Sequence, residues 1–131
     1  MNRSKTLQTK ITEERLQEEI ILWWESNCDT WNAEPYELFH IPNGLISGQK
    51  TRVVKALGVR PGIPDLMLAI PNQFYAGLFI ELKRPDVDPT RGLSRVQTRT
   101  IARLSLRGYS AIVVNCLEDA IMAITAYMEG L

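Results

Sequence analysis

Three polar side chains stand out against apolar surroundings. Asp65 heads the segment Asp65-Leu-Met-Leu-Ala-Ile70, while Glu81 and Lys83 close Gly77-Leu-Phe-Ile-Glu-Leu-Lys83. Side chains alternate along a strand, so Glu81 and Lys83 share one face and Leu82 takes the other. If the turn at Pro71-Asn72-Gln73 sets Ile70 opposite Gly77, Asp65 falls opposite Leu82, between Glu81 and Lys83. A one-residue slip still leaves all three at the same end of the hairpin. Two carboxylates and an ammonium at the edge of a buried hairpin are costly unless paired or bound to an ion. Oxygen ligands without His or Cys select a hard divalent cation, Mg²⁺ or Mn²⁺. Such an ion lowers the pKa of a bound water and stabilises charge developing on a phosphate. A lysine beside it can hold or deprotonate that water, or bind the phosphate. The plainer alternative is an ion-paired strand end.

The elements that must position these groups read as α-β-α-β-β-α-β-α. The spacing predicts a helix over 12–26, with Thr12 as cap, Glu13 and Glu14 at its positive end, and Leu16, Ile20 and Trp23 on its apolar face. A short strand over 38–41 is stopped by Pro42-Asn43-Gly44, and a short helix over 50–57 by Gly58. The two strands of the hairpin follow Pro61-Gly62-Ile63-Pro64. A helix then runs from Ser94 to Gly108, a buried β-branched strand over 109–115, and an amphipathic helix over 117–128. A strand, a helix and a second strand of these lengths predict a parallel pair with a right-handed crossover. The fold class expected is a mixed α/β sheet flanked by helices.

At 131 residues with 45% apolar positions, the chain is expected to form one domain, residues 12–131, behind a tail of residues 1–11. No apolar run approaches the ~20 residues of a membrane span, and the polar start lacks a signal-peptide core. Cys28 and Cys116 fall in no metal-binding or redox spacing, which points to reduced thiols and a cytoplasmic setting. His40 is the one histidine, and this excludes most zinc clusters and multi-histidine nuclease chemistry. Net charge is zero but unevenly spread. Between Lys50 and Arg107 eleven basic residues meet only four acids, an excess of seven positive charges. A basic segment on a neutral chain suggests a polyanionic partner, against a solvated mixed surface as the alternative.

In this setting, Pro64-Asp65 with Glu81-Leu82-Lys83 sixteen residues later resembles the core of the PD-(D/E)xK nucleases. More specifically, the chain resembles a VRR-NUC (virus-type replication-repair nuclease) domain. The similar stretches are Glu13-Glu14-Arg15-Leu16-Gln17, Ile41-Pro42-Asn43-Gly44, Gly58 to Leu66, Gly77 to Lys83, Leu93-Ser94-Arg95-Val96-Gln97, and Leu104 to Tyr109. The resemblance implies a restriction-endonuclease-like fold. It implies Asp65, Glu81 and the backbone carbonyl of Leu82 as ligands of Mg²⁺ or Mn²⁺, and Lys83 as the catalytic lysine. It adds an acid on the first helix, Glu13 with Glu14 as the fallback, and Gln97. Each has a structural alternative. Glu13 suits a helix N-terminus, and Ser94-x-x-Gln97 fits a capping box. Gln97 nevertheless shares a helical face with Ile101 and Leu104, which must pack on the sheet.

Arginines 91, 95, 99, 103 and 107 recur every fourth residue, as a stripe roughly 145° around the helix from Gln97. Solvent-exposed charge is the simpler account of that stripe. Lys50, Arg52, Lys55, Arg60 and Arg84 are better placed for phosphate contacts. His40 reads as a structural strand-end residue. Trp23, Trp24 and Trp31 read as core or interface, with one of the adjacent pair available to a subunit contact. The resemblance implies a metal-dependent, structure-specific DNA endonuclease and, because stand-alone VRR-NUC members look like homodimeric Holliday-junction resolvases, that is the expected function. Flap- or nick-directed cleavage, and a non-cutting DNA-binding subunit, are the alternatives.

Overall fold

The structure is a computed structural model that describes residues 3–42 and 51–130. The element order follows the expected alternation. Helix α1 (Arg3–Asn27) leads through two short 3₁₀ turns to β1 (Leu38–His40). Helix α2 (Thr51–Ala56) precedes the hairpin β2 (Leu66–Leu68) and β3 (Leu78–Leu82), and α3 (Arg95–Leu106), β4 (Ser110–Val114) and α4 (Leu117–Met128) complete the chain. The turn expected at Asn43-Gly44 and the phosphate contact expected at Lys50 lie outside the described residues. No helix among the described residues is long and apolar enough to cross a membrane.

The four strands lie in the order β1-β2-β3-β4. The first three are antiparallel neighbours, and β4 joins β3 in parallel after the α3 crossover, as expected. Leu66, Leu68, Leu78, Ile80, Leu82 and Val114 pack with Leu16, Ile20 and Trp24 of α1 and with Ala120, Ile124 and Tyr127 of α4 in one buried cluster. The opposite face carries Phe79, edge-on to Tyr109, and Glu81, which meets α3 through Gln97. Gly108 ends α3 at φ 93, a left-handed stop that favours glycine.

Three expectations change. Helix α1 begins at Arg3, so Thr12 lies within it and is no cap. Its buried stripe is Leu16, Ile20 and Trp24, one residue every turn, continued by Cys28 just past its end; Trp23 is only half-buried. The Trp24 Nε1 donates to the carbonyls of Glu34 and Pro35 at 3.2 Å each, and its ring stacks on Trp31 at 6.2 Å, which fixes it in the core. Trp23 packs against the same Trp31 at 6.3 Å.

The third change is the hairpin register. Leu66 pairs with Ile80 and Leu68 with Leu78, so one residue further along Asp65 stands level with Glu81 rather than Leu82. The turn is longer than Pro71 and Asn72 suggest. Asn72 Oδ1 accepts from the amides of Phe74 (2.9 Å) and Tyr75 (2.8 Å), closing a separate loop before the strands pair.

Candidate active site

Asp65 and Glu81 come together because both stand at the same end of the hairpin. Asp65 Oδ2 accepts the Leu82 amide at 2.8 Å, which pins its carboxylate across the strands. Glu81 is 3% exposed and is the one charged residue among the buried side chains of the described residues. Its Oε1 accepts from Gln97 Nε2 at 3.1 Å and lies 3.8 Å from Lys83 Nζ. Its Oε2 is buried without a hydrogen-bond partner.

Burial, and next the Asp65 carboxylate, push the Glu81 carboxyl up to about 8; Lys83 opposes this, and Glu13 adds to it. Glu13 sits on α1, half-buried. Burial and the charge of Asp65 raise its carboxyl, while Lys83, Arg84 and the Arg84 amide pull it down. Three acids therefore feel one another at this point. Glu14, exposed and one step around the helix, lines the same cleft.

Gln97 serves both of the roles open to it. Its backbone N–H donates to Ser94 Oγ at 3.2 Å and its Oε1 accepts the Ser94 backbone N–H at 2.9 Å, a complete capping box. The same Oε1 accepts Lys83 Nζ at 3.0 Å, while Nε2 reaches Glu81. The cap thus locks the rotamer that links the acid to the lysine.

A cleft of about 440 Å³ opens beside these groups, lined by Glu13, Glu14, Gln17, Glu18, His40, Asp65 and Leu82. The structure therefore gathers Asp65, Glu81, Lys83, Gln97 and Glu13, with Leu82 on the cleft wall. The phosphate-contact candidates are less concentrated. Arg52, Lys55 and Arg60 are exposed, but neither they nor Arg84 line the cleft, and Arg84 Nε lies 2.8 Å from Asp86. Arg99, Arg103 and Arg107 flank a separate apolar groove with Ile63, Leu104 and Leu106.

Three lining residues were missed as site residues. His40 Nδ1 lies 2.8 Å from the Asp65 carbonyl oxygen, because β1 pairs His40 with Leu66, the residue after Asp65. Gln17 and Glu18 follow Glu13 and Glu14 by one helical turn, a repeat visible in the sequence.

The donor set suits a hard cation. It consists of carboxylate oxygens, one of them, Glu81 Oε2, buried without a hydrogen-bond partner on a carboxyl that burial, and next Asp65, push up. Among the described residues no three His, Cys, Asp or Glu side chains form a ready-made ion cage.

The family model described as the VRR-NUC domain matches residues 4–117. The chain belongs to the VRR-NUC family. A solved structure described as a "VRR_NUC domain protein" is similar at a TM-score of 0.71 and 26% identity, over 90% of this chain and 88% of that one. No curated protein sequence matches. The mixed sheet with its flanking helices is the VRR-NUC nuclease fold.

Proposed function

We propose that this VRR-NUC domain is a Mg²⁺- or Mn²⁺-dependent endonuclease that hydrolyses DNA phosphodiesters, with branched DNA as its substrate class. The observation that carries this reading is the Gln97 amide bridging Glu81 and Lys83 beside Asp65. A strand-end ion pair needs no such bridge. Asp65 and Glu81 would hold the cation, with the Leu82 carbonyl and Glu13 as further ligands. When bound, the ion supplies Lewis acidity toward a phosphate oxygen and a more acidic water.

The chain's own residues supply the rest. Lys83, whose side chain is 13% exposed, is directed by Gln97 Oε1 and by Glu81. In that position its ammonium can bind a phosphate oxygen or orient a water for in-line attack. Gln97 makes the shorter bond to each partner of the Glu81–Lys83 ion pair, 3.1 and 3.0 Å against 3.8 Å between the charges.

A two-fold dimer would present two such sites to a two-fold four-way junction, so the finer reading is a homodimeric Holliday-junction resolvase.

Incubation with a synthetic four-way junction, a flap, a nicked duplex and a linear duplex, each with Mg²⁺ and with Mn²⁺, tests the whole reading. Paired cuts near the branch point of the junction are expected. Cutting confined to flaps or nicks would move the substrate class. Binding without cutting under both metals would mean a DNA-binding subunit of this fold. Sedimentation at micromolar concentration checks the dimer, and a strict monomer would remove symmetric resolution.

A further inference from the structure

The segment leading into Asp65 does not simply pass by α3; it presses on it at one point. Gly62 has φ 81, in the left-handed region. A Cβ placed on it would sit well inside 3.0 Å of Val96 Cγ1, and 3.1 Å from both the carbonyl carbon and oxygen of Val96. That carbonyl belongs to the peptide whose nitrogen is Gln97's. Gly62 therefore abuts the peptide that carries the site amide, three residues before Asp65.

We infer that Gly62 is a positioning residue: its bare α-carbon seats the Pro61–Pro64 turn on the Val96–Gln97 peptide and so sets the spacing between Asp65 and the Gln97 amide. This rests on the nuclease reading of the site, but the contact itself is independent of it.

A methyl at position 62 meets two obstacles of different kinds. Val96 is β-branched and on a helix, where one χ1 rotamer dominates, so its methyl cannot readily swing aside. Behind it stands backbone, which yields only if the first turn of α3 moves. Gln97 has little slack for such a move. Its bonds to Lys83 and Glu81 are 3.0 and 3.1 Å, and the same side chain is committed to the Ser94 cap. A shift of even about 0.5 Å is the size that degrades a catalytic constellation. Gly62 touches neither DNA nor ion; its effect passes through Val96 and Gln97.

The test is a mutant cycle with readouts that do and do not need cleavage. Gly62→Ala is expected to lower the cleavage rate about tenfold at saturating junction with KM for DNA nearly unchanged. In ¹⁵N-labelled protein without metal or DNA, it should move the Gln97 side-chain amide resonance toward that of a solvated glutamine. Val96→Ala removes the nearest obstacle, so Gly62→Ala/Val96→Ala should recover most of the rate and the wild-type resonance. Against a Gln97→Ala background, Gly62→Ala should cost nothing further in rate, because the group it acts through is gone.

A Gly62→Ala protein with wild-type rate and amide resonance overturns the inference. So does a double variant as impaired as the single one, which would assign the defect to turn strain. If Gly62→Ala fails to fold, Gly62→Ala/Val96→Ala folding with a native Gln97 resonance supports the inference, and its failing too counts against it. A wild type that cuts no DNA defeats the nuclease reading alone, since the resonance still reports the contact.

Discussion

The Gln97 amide donates to Glu81 Oε1 at 3.1 Å from a side chain whose oxygen is already held by the Ser94 amide at 2.9 Å. One residue is thus both a helix cap and a bridge, and its two roles separate under substitution. Gln97→Glu keeps an acceptor for Ser94 and Lys83 but replaces the donor to Glu81 with a repelling carboxylate. Gln97→Ala loses both. Thermal melting should show Gln97→Ala destabilised by about 1 kcal/mol, the usual scale of a lost cap. Cleavage by both variants should fall at least about tenfold. If Gln97→Glu cuts at the wild-type rate, the bond to Glu81 is not needed.

Lys83→Ala should reduce cleavage by about 100-fold or more, the scale expected of a group acting in proton transfer or charge stabilisation. Junction affinity should change little, because Lys83 is mostly buried and one phosphate contact among several is a small share of binding. Single-turnover rates and gel-shift affinities measured together check this. Equal cleavage rates for variant and wild type would remove Lys83 from the chemistry.

Much of this site was legible before any coordinates, for a physical reason. Hairpin strands buried on both faces read as apolar runs, so Asp65, Glu81 and Lys83 declare themselves by interrupting them. The helix over 117–128 and the capping signal at Ser94 are local patterns, and both hold, although of the expected α4 face Leu117, Ile121, Ile124 and Met128 only Ile124 is buried, beside Ala120 and Tyr127. What depended on long-range packing was less legible. The register slipped because Asn72 closes its own loop, and side-chain closure of that kind leaves no periodicity. The choice of Trp24 over Trp23 for the core was settled by carbonyls at Glu34 and Pro35, ten and eleven residues away. His40 carries no local signal of its place at the cleft, because only strand pairing brings it beside Asp65.

Glu81 should make the metal-free protein less stable as pH rises. Its carboxyl is raised from 4.5 to about 8, with burial the first cause and Asp65 the second. Between those values the native state keeps a proton that the unfolded chain has released. The stabilisation is complete below about 4.5 and is lost progressively as pH climbs toward 8. The expected fall is on the order of a few kcal/mol. Denaturant melts at several pH values should show it, and Glu81→Gln should flatten the profile. Added Mg²⁺ should stabilise most at the high end, where proton and ion no longer compete. A Glu81→Gln profile identical to wild type would assign the slope to other groups.

Arg52, Lys55 and Arg60 are exposed, and no ion pair is seen for them among the described residues, so their charge is available to phosphates. Each phosphate neutralised contributes about 0.9 to the slope of log affinity against log salt concentration on duplex DNA. Arg60→Gln should therefore weaken junction binding and shallow that slope by about one, without changing the rate of the bound complex. The arginines of α3 provide the contrast. Arg99 and Arg103 border a groove that shares no lining residue with the acidic cleft. If they are solvated charge, replacing both with glutamine leaves the slope as it was. A slope reduced by about two would mean that a second arm of the junction reaches across α3, placing DNA on both sides of the domain.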